Sequence, residues 1–183
     1  IDAFKRAAAG WFARRYGFEV NVDWLLYVNS VTPYINATIQ EFSKPGDGVI
    51  IQNPVYYPFS SSIVNCGRTI FNNQLIENKS YYTMDFESLK TLAKKLDTNL
   101  FILCNPHNPV GRVWTKEELY QACQICLENK ILVFSDEVHS DFIMKENYFT
   151  TTGDLSDEIV QNLIITFAPS KTFNIAGLGA SLM

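Results

Sequence analysis

An amine at Lys171, a carboxylate at Asp136, an amide at Asn108, an aromatic ring at Tyr56 and a hydroxyl at Ser170 are the groups in this chain that can do chemistry as a set. Each has an ordinary explanation when taken alone. A loop lysine is normally solvated, an aspartate after a strand normally closes a turn, and Asn-Pro dipeptides mark turns. Together they meet the needs of pyridoxal 5'-phosphate (PLP). An amine joins the cofactor as an imine, a carboxylate keeps its pyridine nitrogen protonated so that the ring withdraws electrons, and an aromatic ring packs on its face. Hydroxyls and the backbone amides of a helix start, here Val31 and Thr32, suit the phosphate. Neither a P-loop nor a G-x-G-x-x-G motif is present, which removes the best support for nucleotide or dinucleotide binding.

Groups this far apart in sequence need a scaffold that gathers them. Hydrophobic periodicity predicts helices over about 2 to 16, 33 to 43 and 59 to 65, and strands at Trp24 to Val28, Gly48 to Gln52 and Thr69 to Asn72. Asp85 is placed to cap a helix running to Leu96, and Thr115 with Glu118 forms a capping box for a helix ending near Glu128. Continuous apolar strands follow at Leu100 to Cys104, Ile131 to Ser135 and Leu163 to Phe167. Strands that are apolar throughout and separated by helices predict an α/β fold, a mainly parallel sheet covered on both faces. Such sheets bind ligands beyond the carboxyl ends of their strands. The segments there are Ser30-Val31-Thr32, Asn53-Pro54-Val55-Tyr56, Asn105-Pro106-His107-Asn108, Asp136-Glu137-Val138-His139 and Ala168-Pro169-Ser170-Lys171, so the candidate groups share one sheet edge.

At 183 residues and 47% hydrophobic, the chain has material for one substantial core. A net charge of −4, with 15 scattered basic residues, supplies no footprint for nucleic acid or an anionic membrane, and a small-molecule partner is expected. No apolar run is long enough to cross a bilayer and no secretory leader pattern opens the chain, so the cytoplasm is expected. The four cysteines lack the spacing of a disulfide scaffold. Cys123 and Cys126 have C-x-x-C spacing but sit mid-helix without a second pair, and they read as ordinary helix residues. The chain starts without Met inside a helical pattern and stops at Met183 after a glycine-rich turn, which reads as a fragment.

Three motifs resemble the class I/II aminotransferases of PLP fold type I. They are Asn105-Pro106-His107-Asn108-Pro109-Val110-Gly111-Arg112, Ser135-Asp136-Glu137-Val138-His139-Ser140-Asp141, and Ala168-Pro169-Ser170-Lys171-Thr172-Phe173-Asn174. Within that family the resemblance is closest to the MalY/PatB subgroup of carbon–sulfur β-lyases. It implies the large, PLP-binding domain of the aspartate aminotransferase fold over residues 1–183, without the N-terminal arm and the C-terminal small domain. It also implies roles: Lys171 as the Schiff-base lysine, Asp136 as partner of the pyridinium nitrogen, Asn108 as donor to the phenolic oxygen, and Tyr56 as the ring that stacks on the cofactor. Val31 and Thr32 resemble the backbone phosphate donors, Ser170 adds a hydroxyl, and adjacent Tyr57 is expected to pack. Two positions depart from the wider family: Ala168 stands where many relatives carry a hydroxyl, and His139 where many carry a tyrosine that contacts the phenolic oxygen.

The activity implied is α,β-elimination from cystathionine or cysteine S-conjugates, giving pyruvate, ammonia and a thiol, with Lys171 as general base. Transamination between an amino acid and a 2-oxo acid is the alternative, and a non-catalytic PLP-binding regulatory domain the more remote one. The resemblance also implies a homodimer and places the arginine that holds the substrate carboxylate outside these residues. Arg112 is not expected to take that role, and His107 is expected to pack or face solvent.

Overall fold

The computed structural model describes all 183 residues. Helix α1 (Asp2–Tyr16) ends on Gly17, whose φ of 66° is the left-handed cap that glycine adopts at no steric cost. The strand predicted from Trp24 is shorter than expected. Asn21 accepts a hydrogen bond from the Asp23 amide and winds Val22–Trp24 into a 3-10 turn, leaving β1 as Tyr27–Val28. Helix α2 (Val31–Phe42) begins two residues earlier than its periodicity predicts. Pro33 is tolerated in the first turn because an amide there has no partner within the helix.

The chain then alternates. Strand β2 (Gly48–Ile51) leads to α3 (Pro58–Asn65) and β3 (Thr69–Asn72). A hairpin of β4 (Ile76–Asn78) and β5 (Tyr81–Thr83) follows, which the sequence reading does not anticipate. Its turn residues, Lys79 and Ser80, take φ of 50° and 65° without the Asn-Gly signature usual there. Helix α4 (Phe86–Ala93) is capped by Asp85 as predicted, but stops before Leu96. Strand β6 (Thr98–Cys104) precedes α5 (Lys116–Glu128), which carries the predicted capping box. Next come β7 (Leu132–Asp136), α6 (Asp157–Val160), β8 (Leu163–Thr166), the single turn α7 (Pro169–Thr172) and β9 (Ser181–Leu182).

Five strands in the order β3-β2-β6-β7-β8 form one sheet, every pairing parallel. Side chains alternate across it, as the two-residue strand period requires. Val49, Ile51, Leu100, Ile102 and Phe134 face α2 and α3; Ile50, Phe101, Leu103 and Val133 face α4 and α5. Both faces are thus covered, as the continuous apolar strands predicted. The chain leaves β2 for β3 on one side and returns to β6 on the other, which opens a crevice between the carboxyl ends of β2 and β6.

One device outside the main sheet shapes that crevice. Strand β9 pairs antiparallel with β1, Tyr27 opposite Leu182, and Leu182 also bridges to Phe167 at the end of β8. The closing chain must pass the Asn29 carbonyl, and it does so at Gly179, where a Cβ would lie 2.6 Å from that oxygen. Only glycine fits such an approach.

Candidate active site

All eight residues singled out from the sequence line one cavity of about 260 Å³ at the carboxyl edge of the sheet. Asp136 forms its floor, being the last residue of β7 and 5% exposed. Burial pushes its carboxyl up to about 6, opposed by the Val138 amide, the neighbouring Thr166 hydroxyl and the charge of Lys171. The Val138 N–H donates to its Oδ1 at 3.2 Å. At neutral pH this is a mostly ionised carboxylate, little solvated and open on one side.

Lys171 stands across from it on α7, not in the open loop expected, with Pro169 at the first helical position. The amine is exposed to the cavity and carries the charge that Asp136 and His139 both sense. Ser170, the preceding residue, lies on the same wall.

Asn108 comes from the loop after β6. Its backbone N–H donates to Cys104 Sγ at 3.3 Å, which fixes the loop against the strand that precedes it. Tyr56 comes from the loop after β2, its ring held edge-on to Phe59 at 5.6 Å and 88°. Desolvation raises its phenol, helped by Tyr57 and Asp136, so it remains a protonated ring on the wall. Tyr57, expected to pack, is instead 77% exposed: it stands at the head of α3, pointing away from the core.

His139 is half-buried beside Asn108, and burial with the nearby Lys171 charge lowers its pKa, leaving a neutral imidazole. The other histidine is structural. His107 is 1% exposed, shares a 3.0 Å hydrogen bond between Nε2 and the Pro54 carbonyl, and is driven down to about 4 by burial.

Val31 and Thr32 open α2 at the far end of the cavity. Their amides have no protein partner, and the N-cap, Ser30, makes no capping bond with its side chain. Unpartnered amides at the positive end of a 12-residue helix form an anion cradle. Amine, carboxylate, aromatic wall and unpartnered helix amides face one volume, a set of groups that fits PLP.

The sequence reading missed several wall residues. Cys104, predicted only as a strand residue, and Ser30, at the strand edge without a predicted role, both line the cavity. Ser181 arrives through the β1–β9 pairing, for which no local signal exists. Ser30 and Ser181 supply hydroxyls on a wall where Ala168 has none.

Comparison with known proteins agrees with this geometry. The model of the class I and II aminotransferases matches residues 1–183. The chain belongs to the class I and II aminotransferase family. Cystathionine beta-lyase PatB of Bacillus subtilis is 42% identical over 97% of this chain and 46% of its own length. Protein MalY of Escherichia coli is 28% identical over 97% of this chain and 45% of its own length. The crystal structure of cystalysin from Treponema denticola, which contains a PLP cofactor, superposes with a TM-score of 0.97 at 40% identity, covering 100% of this chain and 46% of that one. The chain thus spans about half the length of the relatives it matches.

Arg112 and the Cys123–Cys126 pair are structural. Arg112 is 8% exposed, pairs with both oxygens of Glu118 at 2.9 and 2.7 Å, donates to the Tyr82 carbonyl and lies 4.4 Å from the Tyr81 ring centre. It ties the β4–β5 hairpin to α5 and is not free for a substrate. Cys123 and Cys126 are buried in the core face of α5, and burial pushes the Cys123 thiol up to about 12. Such thiols do not ionise at neutral pH.

Proposed function

We propose that residues 1–183 form the PLP-binding large domain of a carbon–sulfur β-lyase that acts on cystathionine or cysteine S-conjugates and releases pyruvate, ammonia and a thiol. The carrying observation is the convergence of Lys171, Asp136, Asn108 and Tyr56 on one cavity, in a chain 42% identical to a cystathionine beta-lyase. When bound, PLP supplies an electron sink for the pair left on the substrate Cα. The protein's own groups do the rest. Lys171 would hold the cofactor through Nζ and, once free of it, that Nζ would take the Cα proton of the substrate. Loss of that proton lets the Cβ–S bond break with its electron pair on sulfur; hydrolysis of the three-carbon product gives pyruvate and ammonia.

In this reading Asp136 would keep the pyridine nitrogen protonated, Asn108 and the neutral His139 would serve the phenolic oxygen, and the Tyr56 ring would pack on the cofactor. Val31, Thr32 and Ser170 hold the phosphate. The partner is a small-molecule amino-acid substrate, and the full-length protein works as a cytoplasmic homodimer. Four free thiols and no disulfide fit a reducing compartment, and no helix is long and apolar enough to cross a membrane.

The test is pyruvate release from cystathionine by the PLP-loaded protein, with and without an added 2-oxo acid. Release without the acceptor supports elimination; no pyruvate, but conversion of the added 2-oxo acid into its amino acid, makes the protein an aminotransferase. Visible absorbance of lysine-bound cofactor without turnover of any amino acid makes it a regulatory domain. Lys171→Ala must abolish that absorbance.

A further inference from the structure

The segment from Ala168 to Ala180 carries Lys171, yet it is tied to the rest of the chain by a single hydrogen bond. Its backbone bonds are all internal: Phe173 to Pro169, Asn174 to Lys171, Ile175 to Ser170, Leu178 to Ile175 and Gly179 to Ala176. The exception is a side-chain bond, from Thr172 Oγ1 to Asp141 Oδ2 at 2.6 Å. Thr172 is the residue after Lys171.

Asp141 is itself held hard. Its other oxygen, Oδ1, accepts from Tyr16 Oη at 2.5 Å, from Arg15 Nε at 3.2 Å and from Trp11 Nε1 at 3.3 Å. One oxygen therefore grips α1 and the other grips α7. The carboxylate sits five residues past Asp136 on the segment leaving β7. Burial opposes its ionisation, but the bonds from Thr172, Tyr16, Arg15 and Trp11 hold its carboxyl below the usual range. An ionised acceptor makes each of these bonds stronger than a neutral one does.

We infer that Asp141 is a positioning residue for the cofactor lysine: through Thr172 it fixes the turn that carries Lys171, and so sets the distance from the Lys171 amine to the Asp136 end of the cavity. The inference rests on the PLP reading above. A displacement of about 1 Å in a reacting group costs on the order of a hundredfold in rate, and without this bond the Ala168–Ala180 segment is left with its anchored ends and apolar contacts such as Phe173 on Trp11.

The experiment follows imine formation on Lys171 after PLP is added to the cofactor-free protein, by visible absorbance and by mass spectrometry of borohydride-fixed peptide. Thr172→Val, which keeps shape and removes the donor, slows imine formation on the order of tenfold to a hundredfold. Thr172→Ser, which keeps the hydroxyl, restores the rate. Asp141→Asn slows it at least as much as Thr172→Val. Arg68→Ala controls for stability alone, because Arg68 braces Ser43 and the Cys66 carbonyl far from the cavity. It lowers the thermal midpoint and leaves the imine rate unchanged. If Asp141→Asn does not fold, the Thr172 pair still decides. Wild-type kinetics in Thr172→Val overturn the inference, as does equal slowing in Arg68→Ala. If the wild-type protein forms no imine, the PLP reading falls and the inference falls with it, whereas imine in wild type with unaltered Thr172→Val defeats the inference alone.

Discussion

Asp136 and Glu137 are neighbours in the chain, both carboxyls are buried, and burial raises both, to about 6 and about 7. They nevertheless face opposite sides of the sheet. Asp136 looks into an open cavity with an amine across from it. Glu137 looks into the packed side toward α5, where its Oε1 accepts from Ser135 Oγ at 3.0 Å and from the amide and hydroxyl of Thr152 at 2.8 Å each. A raised carboxyl therefore does not by itself mark a site. What separates the two is whether the donors are already present or the space for a ligand is left open.

The largest effect is expected from Asp136→Asn, which keeps the volume of the side chain but removes its charge. Turnover of cystathionine by the PLP-loaded protein should fall by on the order of a hundredfold or more, the scale of losing one preorganised electrostatic group. The fold should survive, as circular dichroism and the thermal midpoint will show. Comparable turnover in Asp136→Asn would remove Asp136 from the mechanism.

Glu137→Ala should do the reverse. Deleting the acceptor strands the Thr152 amide, the Thr152 hydroxyl and the Ser135 hydroxyl, and one unmet buried donor already costs about 1–3 kcal/mol. Denaturant unfolding should show a loss of about 3 kcal/mol, while the folded fraction still binds PLP. A loss of cofactor binding at unchanged stability would place Glu137 in the site.

The smallest effect is a pH slope. A carboxyl whose pKa is higher folded than unfolded binds more protons in the folded state, so stability is greatest below the unfolded value and falls as pH rises through the folded one. For Glu137 the window runs from its ordinary value of 4.5 to about 7. Stability of the cofactor-free protein should drop by on the order of 1–3 kcal/mol across it, measured by urea unfolding at several pH values. Glu137→Gln should flatten roughly half of that slope. Asp136, raised from 3.8 to about 6, contributes the remainder, and only its share should vanish when PLP is bound.

Much of this molecule is legible in local sequence. The capping box of Thr115 with Glu118 and the Asp85 cap form as their spacing requires, because a cap is satisfied within three residues of itself. Continuous apolar strands predict burial on both faces, and the strand-end rule selects Lys171, Asp136, Asn108 and Tyr56 for one edge. The alternation of a strand also separates Asp136 from Glu137, but not which of the two meets the cavity. That depends on where α5 and α2 lie across the sheet. The β4–β5 hairpin is not legible in the sequence because its turn uses Lys79 and Ser80, which lack the tolerance of Asn or Gly for the positive φ they adopt.

What the tertiary structure alone decides are meetings between distant segments. Asp141 touches Tyr16, 125 residues away, and Thr172, 31 residues away; no periodicity encodes such a bond. Ser181 reaches the cavity only because β9 returns to β1 past Gly179. Local chemistry chooses caps, strands and the residues at strand ends, since those energies are spent within a few residues. The depth of the cavity, the neutral state of His139 and the anchoring of the lysine turn arise from burial and from partners brought together across the whole chain, and exist only once the sheet has closed.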